Sequence, residues 1–149
     1  MNELINEFWE WAQISPEEYA KDGIDLESDK VEFYYPKLGE LLKYEETIIH
    51  QSEISDAEMD DLLIIMALDN ETENVLHRAI DDLMEKHVER FAELGSTHFQ
   101  PNVRWQTTEF IFHRKPCKIK SYLSKLKDDE HSYVRKRAKN VISYLGLGL

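Results

Sequence analysis

A chain of 149 residues is long enough to bury a hydrophobic core of its own, and we expect a single domain over residues 1–149. Five glycines and four prolines are too few for a protein of β-strands and tight turns, so the composition predicts an all-α fold. The net charge of −12 opposes nucleic-acid binding, and no apolar run approaches the roughly 20 residues that a membrane span requires.

Charge is distributed unevenly along the chain. Residues 1–77 carry 21 acidic side chains and four lysines, a net charge of −17, whereas residues 78–149 carry 14 bases and nine acids, a net charge of +5. If the chain does not fold back on itself, the two ends of the molecule have opposite charge. The acidic first half is the part expected to repel nucleic acid.

Helix signals begin at the N-terminus. Residues 2–13 place apolar side chains at helical spacing behind Asn2, a good N-cap residue. A serine-proline pair at Ser15 predicts a second helix that ends near Gly23. Residues 24–35 alternate loosely like a strand, and we expect them to form an extended linker or the start of a bent helix.

Two further helices are expected before the middle of the chain. One runs from Pro36 to about His50, and the next begins at Ser55, whose spacing to Glu58 is that of a capping box. The apolar run 62–66 then predicts a buried helix. In the helix from Pro36 to about His50, helical spacing places five residues on one side, namely Leu38, Leu41, Leu42, Glu45 and Ile48.

An internal repeat organises the second half. The anchors Val75, Val103 and Val134 are separated by 28 and 31 residues, and a leucine precedes each by seven to nine residues. Self-similarity at this period predicts successive helix–turn–helix units.

The repeat predicts where the later helices begin and end. Residues 74–93 are expected to form a helix that is broken in the middle, with Gly95 as its C-cap. Pro101 should open the next helix, Pro116 should separate it from another, and Gly146 should cap the last.

The last copy of the repeat lacks a second helix, which would leave an apolar edge. We therefore expect the C-terminal helix either to be covered by the tail that contains Leu145 and Leu147 or to pair with another chain as a homo-oligomer.

A short motif recurs within the repeat. The acidic turn 128–130 precedes Val134 and Arg135, and the small residue Ala138 follows three positions later. Residues 103–107 repeat the valine, the arginine and the small residue without the acidic turn.

This motif resembles the HEAT-repeat family, especially its short bacterial form. The resemblance implies a short right-handed α-solenoid of antiparallel helix pairs over residues 56–149, preceded by a divergent helical region over residues 1–55. Such solenoids chiefly bind other macromolecules, and their repeat arginine usually bonds the acidic turn of its own or a neighbouring repeat. We expect that role for Arg104 and Arg135, although a guanidinium also suits a phosphate or carboxylate ligand.

The basic second half offers one alternative function. Trp105 and Tyr133 are candidates for stacking on bases, and some HEAT-like proteins are DNA glycosylases. The strongly acidic first half disfavours this reading, which leaves a solvated basic face or a site for an acidic partner. The candidate basic patch comprises Lys115, Lys118, Lys120, Arg135, Lys136, Arg137 and Lys139.

No catalytic or metal-binding pattern is present in the sequence. The six histidines lack metal-site spacing, so we expect no metal and no other cofactor. Cys117 has no evident catalytic base and is interpreted as structural. A single cysteine and an acidic N-terminus fit a cytoplasmic protein that is not an enzyme.

Tyrosines among acids in the first half predict a surface for a basic protein. For a small acidic HEAT-like protein, one role is immunity, the neutralisation of a basic toxin domain such as a nuclease. The alternatives are a HEAT-like DNA-binding protein or glycosylase and a general scaffold or adaptor. The predicted partner-binding residues are Tyr34, Tyr35, Glu40, Tyr44, Glu45, Glu46, Glu53, Asp56, Asp60 and Asp61.

Overall fold

Residues 1–22 and 35–149 are described by a computed structural model, and every regular element in these two ranges is an α-helix. The predicted all-α class is confirmed. None of the helices in the described ranges is both long and apolar enough to cross a membrane. The helices are α1 (Glu3–Ala12), α2 (Pro16–Asp22), α3 (Leu38–Ile49), α4 (Asp56–Leu68), α5 (Asn74–Asp82), α6 (Glu85–Ser96), α7 (Pro101–Arg114), α8 (Ile119–Leu126) and α9 (Ser132–Tyr144).

Polar side chains set the starts of the early helices as the sequence predicts. The side chain of Asn2 accepts a hydrogen bond from the first turn of α1. Ser15 and Glu18 bond each other's main-chain amides at the start of α2, at 2.8 and 3.1 Å. Ser55 and Glu58 form the same capping box at the start of α4. These bonds satisfy amides that have no partner within the helix.

The centre of the molecule is α4, in which residues 62–68 are all buried. This stretch is apolar on every side, so it can be stable only if neighbours surround it. It packs against α3, α5, α6 and α7.

The carboxyl end of α4 is also buried, and side chains from other segments satisfy its main-chain carbonyls. Gln106 of α7 donates to the carbonyl of Met66 at 2.8 Å. Tyr19 of α2 and Asn70 donate to the carbonyl of Ala67 at 3.2 and 3.0 Å. These bonds replace the water that a helix end usually contacts.

The later helices contact one another in alternation. In one series, α3 packs on α5, α5 on α7 and α7 on α9, while in the other α4 packs on α6 and α6 on α8. One contact breaks the alternation, because α4 also packs directly on α7. As a result α7 is buried on nearly all sides.

The sequence repeat reappears as repeated hydrogen bonds. Arg104 and Arg135 each donate from Nη1 to the main-chain carbonyls five and six residues earlier, at 2.8–2.9 Å and 2.7–2.8 Å. In each copy the side chain six residues before the arginine also accepts a hydrogen bond. His98 accepts one from the main-chain amide of Gln100, and Asp129 accepts one from that of His131. The arginine role predicted from the sequence is confirmed for both residues.

The prediction for Gly95 is wrong. The residue does not cap α6 but lies within it, and no positive φ is present there. A Cβ at this position would lie 2.2 Å from Oγ1 of Thr107 on α7. Gly95 therefore allows α6 and α7 to approach closely, a packing role rather than a turn role.

Gly146 caps α9 as predicted, with a φ of +63°. The amide of Leu147 donates to the carbonyl of Ile142 at 3.0 Å, which closes a Schellman motif. Leu145 and Leu147 are partly buried against the core. The tail therefore covers part of the C-terminal helix, and pairing of that helix with another chain stays a prediction.

The N-terminal region packs on the later helices. The carbonyl of Pro16 accepts a bond from Gln100 at 2.6 Å, and the hydroxyl of Tyr19 accepts one from Asn102 at 3.3 Å. The chain therefore folds back from α2 to α7, unlike the end-to-end arrangement that a simple charge dipole requires. The linker expected over residues 24–35 lies outside the described residues, apart from Tyr35.

The Gly95→Ala substitution should destabilise the protein by about 1–3 kcal/mol, because the new methyl group meets Thr107 in a packed interface. Chemical unfolding measures this loss, and it should shrink when the change is made in a Thr107→Ala background. Gly39→Ala is the matched control, since nothing lies within 4 Å of its added Cβ. An equal loss from both glycine substitutions would contradict this account.

Candidate partner-binding surface

Of the two tyrosines predicted to bind a partner at positions 34 and 35, only Tyr35 belongs to the described residues. Tyr34 lies outside the described residues. Tyr35 is buried, and its ring centroid lies 5.3 Å from that of Phe8 and 5.2 Å from that of Trp11. Burial raises the pKa of its hydroxyl. Its ring belongs to the core beside α1 and is not presented to a partner.

Glu45 is fully buried and forms an ion pair with Arg78 of α5. The Arg78 Nε lies 3.0 Å from Oε2 of Glu45, and Nη2 of the same guanidinium contacts that oxygen as well. Burial raises the pKa of the Glu45 carboxyl, and the hydrogen bond and charge of Arg78 act in the opposite direction. This ion pair links α3 to α5.

Asp61 is also buried and acts within the fold. It accepts a hydrogen bond from the main-chain amide of Asn2 at 3.1 Å and another from the hydroxyl of Tyr44 at 3.0 Å. Burial and the Asp61 carboxylate raise the pKa of Tyr44 to about 12. Both predicted residues thus join α1, α3 and α4.

Three other predicted acids pair with bases 33 to 38 residues later in the chain. The three pairs join α4 and the turn before it to α6 and the turn after it. The pairs are Glu53 with Lys86 at 2.6 Å, Asp56 with Arg90 at 2.7 Å and Asp60 with His98 at 3.2 Å.

Glu40 and Glu46 are the predicted acids that remain exposed on α3 without a basic partner in the described part of the chain. Two acids that were not predicted, Asp81 and Asp82, are exposed on the neighbouring helix α5. His50 lies 3.9 Å from Asp82. We call Glu40, Glu46, Asp81 and Asp82 the α3–α5 acidic surface.

The candidate basic patch is also partly used within the fold. Trp105 is buried, and its indole donates to Asn102 at 3.2 Å. Arg137 pairs with Glu109 at 2.5 Å and lies over the Trp105 ring, 5.4 Å from its centroid, and over Tyr133 at 5.8 Å. These aromatic faces are therefore occupied by an arginine. The lysines that stay exposed are Lys115, Lys118, Lys120, Lys136 and Lys139.

Within the described ranges, no group of three or more histidine, cysteine, aspartate or glutamate side chains is placed to hold a metal ion. Cys117 is exposed, and its amide donates to Glu89 at 2.7 Å. Comparison with protein-family models, curated proteins and solved structures gives no match to this chain. A functional proposal therefore rests on the placement of its own side chains.

Glu45→Gln should lower the free energy of unfolding by about 2 kcal/mol, because it leaves the partly buried Arg78 without its counter-charge. Glu46→Gln is the matched control, and we expect a change within about 0.5 kcal/mol for this exposed neighbour. Urea unfolding of the two variants provides the measurement. Equal effects would show that the buried pair contributes nothing specific.

Acid should weaken the pairs that join α4 and the turn before it to α6. Lys86 and Arg90 hold the pKa values of Glu53 and Asp56 below their usual range, so this contribution is present at neutral pH and is lost as pH falls through the lowered folded-state values. Thermal unfolding at several pH values measures the loss. A Lys86→Met, Arg90→Met double variant should lose less stability over the same range, and an unchanged loss would refute the assignment.

Proposed function

We propose that this chain is a non-catalytic, HEAT-like module that binds a basic protein through the α3–α5 acidic surface. The partner class follows from one observation. The four carboxylates of that surface form no salt bridge with a lysine or arginine of the described chain, and Lys43 is the exposed lysine that lies among them on α3, whereas most neighbouring acids are buried or paired. A surface with surplus negative charge attracts and orients a positively charged partner.

The repeat form of the fold is part of this proposal. The alternating contacts of the helices and the two equivalent arginine arrangements support a short right-handed solenoid of helix pairs. The direct contact of α4 with α7 makes the arrangement more compact than a regular stack. A rigid scaffold suits binding, because surface side chains keep their positions before the partner arrives.

Rigidity extends to the acidic surface itself. Buried Glu45 and its partly exposed partner Arg78 lie on the same two helices that carry the exposed acids. Glu46 is adjacent to Glu45, and Asp81 follows Arg78 by three residues, which is one helical turn. The position of the surface charges is thus fixed by a pair beneath them.

For the biological role we propose immunity, in which the module neutralises a basic toxin domain such as a nuclease. An enzyme that holds nucleic acid presents a positively charged active site, and an acidic protein can occupy that site in place of the substrate. The net charge of −12 favours fast association with such a target.

Charge reversal provides the test. The combined substitutions Glu40→Lys, Glu46→Lys, Asp81→Lys and Asp82→Lys should slow association with the basic toxin encoded beside the gene by about tenfold or more and should restore toxin activity. Surface plasmon resonance and a toxin activity assay provide the readouts.

The matched control reverses four exposed acids elsewhere, so that both variants change net charge equally. We expect this control to retain inhibition, with association slowed by only a few fold through long-range effects. Equal losses in both variants would assign binding to net charge alone. The absence of any complex with the wild-type protein would reject the immunity role. The control acids are Glu3, Glu10, Glu17 and Glu71.

A further inference from the structure

Arg104 shows how one unit of the fold recognises the next. Its Nη1 donates to two main-chain carbonyls of the turn just before α7. The other edge of the guanidinium binds the carboxylate of Asp129, which lies in the turn between α8 and α9. Its Nε is 2.7 Å from one carboxylate oxygen, and its Nη2 is 3.0 Å from the other. This is the two-pronged geometry by which a guanidinium binds a carboxylate.

Arg135 repeats the first half of this arrangement, 31 residues later in the sequence. Its Nη1 donates to the carbonyls of Asp129 and Glu130 at 2.7 and 2.8 Å. Its Nε and Nη2 contact no acceptor among the described residues, and the side chain is partly exposed. The edge that binds a carboxylate in Arg104 is therefore open in Arg135.

Two lysines of α9 lie near that open edge, and the acidic turn 128–130 is bonded by the same guanidinium. Lys139 follows Arg135 by four residues on α9, so the two side chains are neighbours on the helix surface. Lys136 is also exposed, and neither lysine has an ion-pair partner in the described part of the chain. The carboxylate of Asp129 does not contact this edge, and its hydrogen bonds come from Arg104 and the amide of His131.

We infer that Arg135 binds a carboxylate from an acidic segment of a partner protein, in the way that Arg104 binds Asp129. The internal example defines the form of the ligand: an aspartate in a turn that directly precedes a helix, as Asp129 precedes α9. The site is separate from the α3–α5 acidic surface, since α9 packs mainly on α7 and α8. It does not depend on the function proposed for that surface.

The internal example also supplies the probe. A capped peptide with the sequence of residues 124–138, in which every lysine and arginine is replaced by alanine, presents the turn of Asp129 at the start of a helix. In an NMR titration of the full-length protein, this peptide should shift the side-chain Nε–H resonance of Arg135. The same peptide with Asp129→Asn should bind about tenfold more weakly, because a charge-assisted hydrogen-bond pair is lost.

Protein variants test the site independently. Arg135→Gln should weaken peptide binding by about tenfold, while Lys120→Gln, which removes the same charge from an exposed position on α8, should leave binding within about twofold. Circular dichroism shows whether each variant is folded. If Arg135→Gln is not folded, the titration of the wild-type protein still tests the inference, because it shows whether the peptide shifts the Nε–H resonance of Arg135.

Three results would overturn the inference. The first is an unshifted Arg135 Nε–H at saturating peptide. The second is equal binding of the aspartate and asparagine peptides, which would indicate a contact that is not with the carboxylate. The third is a single-stranded oligonucleotide that shifts this resonance at lower concentration than the peptide does, which would make Arg135 a phosphate site.

Discussion

The structure depends on how the buried carboxyl end of α4 is satisfied. A helix leaves its last main-chain carbonyls without internal partners, and at the centre of a protein no water replaces them. Gln106, Tyr19 and Asn70 supply the donors, and they come from α7, α2 and the turn after α4. This requirement explains why α7 carries a buried glutamine at position 106. It also explains why α2, early in the sequence, packs beside a helix from the second half of the chain.

Charged side chains, like the buried carbonyls, are paired with groups from distant parts of the chain. Several acids of the first half, among them Glu45, Glu53 and Asp56, pair with bases that come later in the chain, so contacts between distant helices neutralise part of the sequence asymmetry. Such exposed pairs contribute little stability individually, whereas the buried pair of Glu45 and Arg78 fixes the relative position of two helices. The exposed acids without such a pair carry the charge that is available to a partner, and the α3–α5 acidic surface is one group of them.

Local signals predicted much of the fold, and contacts distant in sequence explain most of what they missed. The starts at Asn2 and Ser55 follow from side chains that bond amides two or three residues away. Gly95 was misassigned because a glycine can end a helix or admit a neighbouring one, and only the position of Thr107 distinguishes these roles. For Glu45 a usable signal was present, since helical spacing already placed it on the apolar side of its helix. The exposure of Asp81 and Asp82 beside α3 depends on which helices pack together, which no local pattern specifies.

The turn at Asp129 has a consequence for how the molecule opens. Arg104 holds its carboxylate from α7, and Arg135 holds its carbonyl from α9, so two helices share a single turn. Unfolding α9 together with this turn would remove the counter-charge of the buried Arg104, which couples local unfolding to the disruption of α7. In a chain of repeats the last unit has a neighbour on only one side and is usually the first to unfold. Here the shared turn extends cooperative unfolding through the final helix.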